Sequence, residues 1–460
     1  MTVANVELVD RDTSADTIKV EFDISWANSW RDSINSDAAW VFIKYSTDSG
    51  ATWSHGTLKT AGTNPSGFDD GSKNSGAFTS LDLIVPSDKV GCFIRPGHQA
   101  SGTLDFVNTE IVWDYGAAGI SDSNVIAATT IVRVFAIEMV YVPQEGFYAG
   151  DGSSGSNGEL EFGGNNTSSP GSVTSENAMD FNNNAATWYY NTGSNSGEAS
   201  GGAVISVGQP FPKGFQATYV MKHEVTQGEY RDFLNTLTRV QQQTRVAATL
   251  SATMTNIYVM TNTSAVTNRQ IVNCPSSGNG TTAPVVFSTT VSSVDKADRA
   301  MNYLSWMDLV AFADWAGLRP MTELEYEKFT RGPIYPVDGE YSWGSTSITA
   351  GATISGTENG TETITTSSAN TAYNNTTFSG GDASSGPLRA GIFSTSSTVT
   401  RLTSGSGYYG ILDLTGNVWE RTVTIGNATG RSFAGTHGDG TLTTLSSYEG
   451  NATKDRKSVV

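Results

Sequence analysis

Residues 410–422 read G-I-L-D-L-T-G-N-V-W-E-R-T, and they restrict the fold more than any other stretch of the chain. Asp413 and Glu420 lie seven residues apart, with the reversal signal Gly416-Asn417 between them. A chain that turns there brings both carboxylates toward one point. Ionised carboxylates that meet need cations or donors, and carbonyls freed by the turn would complete an oxygen cage of the kind calcium takes. A hairpin whose acids face water fits the same spacing, and on spacing alone it is the favoured reading.

Three helix starts are marked elsewhere. Thr226-x-x-Glu229, Ser305-x-x-Asp308 and Thr322-x-x-Glu325 each set a hydroxyl at a helix start and a carboxylate three residues on, satisfying amides that the first turn leaves unpaired. After the first start, Tyr230, Phe233, Leu234 and Leu237 fall at helical spacing; after the second, Trp306, Leu309, Val310, Ala313 and Ala316 do so. These faces are expected to be core, and Gly317 and Gly332 suit the left-handed stop that ends such helices.

Residues 1–116 read as a separate all-β sandwich: T-I-K-V-E-F-D-I-S-W alternates, A-A-W-V-F-I-K-Y follows, and further short apolar runs are separated by turn residues. S-T-D-S-G-A-T-W (46–53) matches an Asp-box hairpin, a structural turn that implies no glycosidase. Trp26, Trp30, Trp40, Trp53 and Trp113 are expected in the core rather than as a sugar platform. Residues 117–130 form a linker, and 131–460 a second domain with polar insertions at 151–202, 239–295 and 345–406. Such insertions are where binding surfaces arise, with disorder the plainer expectation. In the second, T-N-I-Y-V-M and P-V-V-F suggest an added hairpin.

Several motifs together resemble the formylglycine-generating enzyme (sulfatase-modifying factor) family. Residues 410–422 are similar to its L-Y-D-M-x-G-N-V-W-E-W signature, and M-V-Y-V-P-Q-E-G-F-Y-A-G (139–150) to its opening strand. K-H-E-V-T-Q-G-E-Y-R-D-F-L-N (222–235), L-S-W-M-D-L-V-A-F-A-D-W-A-G-L-R-P-M-T-E-L-E-Y-E-K-F-T-R-G (304–332) and Y-S-W-G (341–344) follow in the family's order, covering roughly 135–435. The resemblance implies an α+β domain of C-type-lectin-like fold after the sandwich. It also implies a structural calcium held by the side chains of Asp413 and Glu420 and the carbonyls of Gly416 and Val418. Asn370 is similar to a ligand of the family's second calcium site.

Active members oxidise a sulfatase cysteine with a copper-binding cysteine pair near the domain's C-terminus, and soft thiolates are what copper(I) needs. This chain has two cysteines, Cys92 in an apolar run and Cys274 in a loop-like stretch, and neither lies beyond Glu420. The histidines of iron-dependent relatives are not matched either: His55, His98, His223 and His437 are scattered. No nucleophile elbow, phosphate-binding glycine loop, HExxH or CxxC is present. The family's closing R-G-G-S-W and G-F-R strands are also unmatched, since the chain runs through R-S-F-A-G (431–435) and stops at K-D-R-K-S-V-V. Truncation, or a strand supplied by another chain, is the expectation, with an open sheet edge at the strand near Val140.

Composition narrows the partners. A formal charge of −18 excludes nucleic acid and anionic membrane, because phosphate binding needs a basic stripe. The low charged fraction of 16% with 49 glycines points to β-rich structure with long polar loops, and with the scarcity of cysteine and lysine to a location outside the cell. No apolar run spans a bilayer, and M-T-V-A-N-V-E-L-V-D lacks the features of a signal peptide. The expectation is a non-catalytic extracellular or cell-surface protein, calcium-braced, with a protein or glycan ligand or a role in self-assembly. The alternatives are an active formylglycine-generating oxidase whose cysteines lie on sequence outside this chain, and a filament or surface-layer subunit.

Overall fold

A computed structural model describes residues 1–152, 159–164, 169–182, 184–191, 205–275, 282–373, 377–382, 384–398, 400–442 and 456–459. Ten strands build the N-terminal part: β1 (Thr2–Asp12), β2 (Thr17–Arg31), β3 (Asp37–Ser46), β4 (Ser54–Gly56), β5 (Gly62–Thr63), β6 (Ser72–Gly76), β7 (Leu81–Val85), β8 (Cys92–Pro96), β9 (Ala100–Asp114) and β10 (Ile131–Val142). One sheet runs β1-β2-β9-β6; the other runs from the strand Thr218–Met221 through β10-β3-β8-β7-β5. Period-2 alternation on β2 sends Ile18, Val20, Phe22 and Ile24 into the core between the sheets, against Val41, Ile43, Ile94 and Phe106. Each such side chain contributes about 1.5–3 kcal/mol when fully buried.

The sandwich does not stand apart. β3 is buried on both faces: Ala39, Val41 and Ile43 join the sandwich core, while Ala38, Trp40 and Phe42 join a second core with Tyr230, Phe233, Phe312 and Trp315. β10 pairs with β3 from Ile131↔Ser46 to Val140↔Asp37, and on its other side Met139–Val142 pair with Thr218–Met221. The division at 117–130 is therefore a connection in sequence and not a break in structure. The open edge expected near Val140 is not there: β3 occupies it, and the backbone groups that would have been exposed are paired. Trp40 Nε1 and Lys44 Nζ seal the seam by donating to the carbonyls of Ala316 and Trp315, both at 2.7 Å.

The helices of the second part, Gln227–Leu234, Trp306–Trp315 and Glu323–Arg331, start at the expected capping boxes of Thr226, Ser305 and Thr322. Tyr230, Phe233 and Leu234 are fully buried, as their spacing predicts. Gly317 ends the second helix with φ +71°, whereas Gly332 pairs φ +62° with ψ −147°, which is extended and not the left-handed stop expected; glycine alone adopts it readily. The Asp-box is formed. Asp48 accepts bonds from the Thr52 amide at 2.9 Å and hydroxyl at 2.6 Å, and Trp53 stacks under Arg133. Trp26, Trp40 and Trp113 lie in the core, with Trp30 and Trp53 half-buried.

Where described, the insertions are structured. The first adds a sheet of Glu159–Phe162, Trp188–Asn191, Met179–Phe181 and Ile205–Val207. In the second, Ile257–Tyr258 pairs with Asn273–Cys274, not with the P-V-V-F segment; Val285 and Phe287 instead donate their amides to Gln242 and Asn235. Cys274 is thus a buried strand residue rather than a loop one. The chain's last described strand, Arg456–Val459, pairs antiparallel with Glu420–Val423, so the signature segment has a neighbour that the comparison of closing strands did not foresee.

Candidate functional site

The turn at 413–420 is built by residues that tolerate positive φ. Asp413 (+58°), Gly416 (+92°) and Asn417 (+59°) all lie in the left-handed region. Only glycine fits at 416, where a Cβ would come within 2.2 Å of Thr371 Oγ1 and 2.4 Å of the Ala372 carbonyl. Asn417 is held through three groups: its amide donates to Ala372 O at 2.7 Å, its Oδ1 accepts from Leu388 N at 2.8 Å, and its Nδ2 donates to Glu224 Oε2 at 2.7 Å. The Val418 amide donates to Glu224 Oε1 at 2.9 Å, and Tyr326 donates its hydroxyl to the Leu414 carbonyl.

Glu224 is the member that sequence reading missed. It lies in K-H-E-V-T, just before the capped helix, and both of its oxygens brace the turn. A buried acid ahead of an N-cap threonine was the available signal, but nothing in the local pattern ties it to a turn 193 residues away.

Glu224, Asp413 and Glu420 act on one another electrostatically around this turn. Burial pushes Glu224 well above the ordinary carboxylate range, and the charges of Asp413 and Glu420 push it further. Glu420 is raised by burial and by Asp413. Burial raises Asp413 too, partly offset by the Gly391 amide, His223 and Arg389. Arg389 itself reaches Glu362, at 3.7 Å. With Glu224 fully engaged by the turn's donors, Glu420 Oε2 is left buried without a hydrogen-bond partner, and Asp413 Oδ2 accepts from Gly391 N.

The side chains left over, the carboxylates of Asp413 and Glu420, are hard oxygen donors. That chemistry suits calcium and not a thiophilic metal. No three His, Cys, Asp or Glu side chains form a metal cluster by themselves among the described residues, so carbonyls would have to complete a cage. Asn370, expected at a second site, is bonded within the protein. Its Oδ1 accepts from Thr349 N at 2.9 Å and its Nδ2 donates to Leu402 O at 3.0 Å, closing the third insertion two residues before Ala372.

Two cavities border the turn. One, of about 480 Å³, is mainly apolar, lined by Leu309, Phe312, Met321, Ile411 and Trp419, and holds the Arg319–Glu325 pair and His437, whose pKa burial lowers. The other, of about 590 Å³, includes Gly416, Asn417, Val418 and Trp419 in its lining. Neither is lined by a cysteine. Cys92 and Cys274 are both buried, and burial pushes the Cys92 thiol far up, which opposes thiolate formation there. The histidines stay dispersed: His55 lies at the seam against the Val90 carbonyl, and His223 Nδ1 is 3.0 Å from Glu224 O.

Comparison with curated proteins and with solved structures returns no match. The sulfatase-modifying factor enzyme 1-like domain (FGE-sulfatase) is matched over residues 205–457, more than half of the chain and the whole region that contributes Glu224, Asp413 and Glu420. The chain belongs to that family, as a member in which the region carrying the signature turn has no cysteine pair.

Proposed function

We propose that this protein is a non-catalytic binding protein of the family, acting outside the cell, in which a calcium-braced domain of C-type-lectin type presents loops to a ligand. One observation carries the reading: Glu224, Asp413 and Glu420 act on one another electrostatically around one turn, and Glu420 Oε2 is buried with no hydrogen-bond partner. A buried anion without a donor or cation is costly, so an ion there would stabilise the folded state selectively. Asp413 and Glu420 would hold it, with the carbonyls of Gly416 and Val418, while Glu224 fixes the turn from behind through Asn417 and Val418.

Thermal unfolding with excess calcium and with chelator tests the reading. At a free calcium concentration of 100 times Kd, binding contributes about 2.7 kcal/mol, equivalent to a rise of roughly 5–10 °C for a domain of this size. An unchanged melting temperature, with Asp413→Ala equally indifferent, sinks the metal assignment.

The family match itself favours a second reading, oxidation of a cysteine in a peptide substrate. Against it stand two buried cysteines and two cavities without a thiol. Aldehyde formation on a cysteine-containing sulfatase peptide, followed by mass spectrometry, decides between them: product made by this chain contradicts the non-catalytic reading.

A further inference from the structure

The cleft of about 590 Å³ is rimmed by aromatic faces that a soluble protein ordinarily covers. Trp419 is 64% exposed, Tyr303 45% and Tyr373 39%, with Phe378 buried beneath them. Its polar lining is amide and hydroxyl: Asn268, Asn302, Ser385 and Asn417. None of the described residues lining it is charged.

The rim is fixed rather than loose. Asn302 Nδ2 donates to Asn268 O at 2.8 Å, and Asn268 Nδ2 donates to the Tyr303 hydroxyl at 2.6 Å. Tyr303 therefore keeps its own O–H proton to donate, and Asn302 Oδ1 is buried with no hydrogen-bond partner. Tyr303 and Asn268 both sit at positive φ, +62° and +46°. A bulky aromatic in that region is strained, and such strain gathers where a ligand is held. Gly386 fits against Asn268 only because it lacks a Cβ, which would approach the Asn268 carbonyl to 2.2 Å.

We propose that this cleft binds a neutral oligosaccharide. The flat C–H faces of sugar rings stack on exposed Trp and Tyr, and their hydroxyls exchange hydrogen bonds with amides and phenols. The lack of lining cations and the chain's charge of −18 disfavour sulfated, uronic or phosphorylated ligands. A peptide is the weaker fit, because none of the described residues lining the cleft belongs to a strand that could offer an edge for main-chain pairing. The inference rests on the non-catalytic reading and deepens it by naming the ligand class. Gly416–Val418 serve both the cleft and the carboxylate corner.

The test is titration of the full chain with cellohexaose, chitohexaose and mannohexaose by calorimetry and tryptophan fluorescence, with heparin hexasaccharide as the charged control. At least one neutral sugar is expected to bind, with affinity falling roughly tenfold or more in Trp419→Ala and severalfold in Tyr373→Ala. Both side chains are exposed, so unchanged melting curves would show that the variants fold. No binding to any neutral sugar, binding to heparin alone, or binding that both variants leave intact overturns the inference. Calcium-dependent melting is read in parallel. If it persists without sugar binding, the cleft proposal falls and the metal-braced reading stands; if sugar binds and calcium has no effect, the reverse holds.

Discussion

Two buried groups of carboxylates lie in the second part of the molecule, and they are neutralised in opposite ways. Glu358 and Asp382, both from the third insertion, meet Arg269, Lys296 and Arg299: Arg299 reaches Glu358 at 3.1 Å, Lys296 reaches Asp382 at 2.5 Å, and Arg269 bonds Glu358 directly. Arg269 and Arg299 are almost completely buried. Glu224, Asp413 and Glu420 are shifted upward, chiefly by burial, and no arginine or lysine forms an ion pair with them among the described residues. In the first group each carboxylate has a cationic partner within the protein, and the Arg269–Glu358 pair ties the second insertion to the third. In the second the partner we propose is a cation, at the turn that borders the aromatic cleft.

The contrast can be broken from the complete side first. Arg299→Ala leaves Glu358 with Arg269 and Asp382 with Lys296 as their remaining cations, and removal of one partner from the buried Arg299–Glu358 pair is expected to cost about 3 kcal/mol. Urea unfolding should show that loss equally with and without calcium. Dependence on calcium there would mean that the two groups are not independent.

Next comes a reversal of sign at the incomplete group. Glu420→Gln removes a carboxyl whose ionisation burial opposes, so in chelator at neutral pH the variant should be more stable than the parent, by about 1–3 kcal/mol. In saturating calcium it should be less stable, having lost a ligand. A variant that is destabilised in both conditions would indicate that Glu420 has an ordinary structural partner.

The seam between the sandwich and the second part gives an intermediate case, in which the buried basic side chains Lys44 and His55 each meet a carbonyl. Lys44 and His55 pack there, and Asp314 and Asp439 act on Lys44 electrostatically. Burial, with Lys44 adding to it, holds the His55 pKa down at about 3. Its folded value lies below its unfolded value of about 6.5, so its contribution is present above pH 6.5 and is lost as pH falls from there toward 3. Between pH 6.5 and 5 this amounts to about 2 kcal/mol. His55→Gln, which keeps a donor for the Val90 carbonyl but does not titrate, should flatten the melting temperature against pH in that window.

The smallest effect is expected where a carboxylate is exposed. Asp48 holds the Asp-box turn through amide and hydroxyl donors, and Asp48→Ala should cost about 1 kcal/mol with no response to calcium.

How far these features were legible follows from their range. The capping boxes and the helix faces are local patterns, and each is where its spacing puts it, whereas spacing alone favoured acids facing water for Asp413 and Glu420, both of which are shifted by burial. Glu224 is not local, and only the folded chain joins it to Asn417. The run A-A-W-V-F-I-K-Y carries the continuous apolar character of a strand covered on both faces, yet which element covers the second face cannot be read from it. The same holds for β10, whose pairing with β3 closes the edge that comparison of closing strands left open. The insertions read as polar loops because their order rests on pairs such as Arg269–Glu358, separated by 89 residues and invisible to periodicity.

The central claim is that the carboxylate corner is an ion site. Calorimetric titration of the chelator-treated protein with calcium chloride tests it most directly, with Glu420→Gln alongside. The account predicts at least one binding event in the parent that the substitution removes. Absence of calcium binding by the folded parent, or equal binding by the variant, would contradict it.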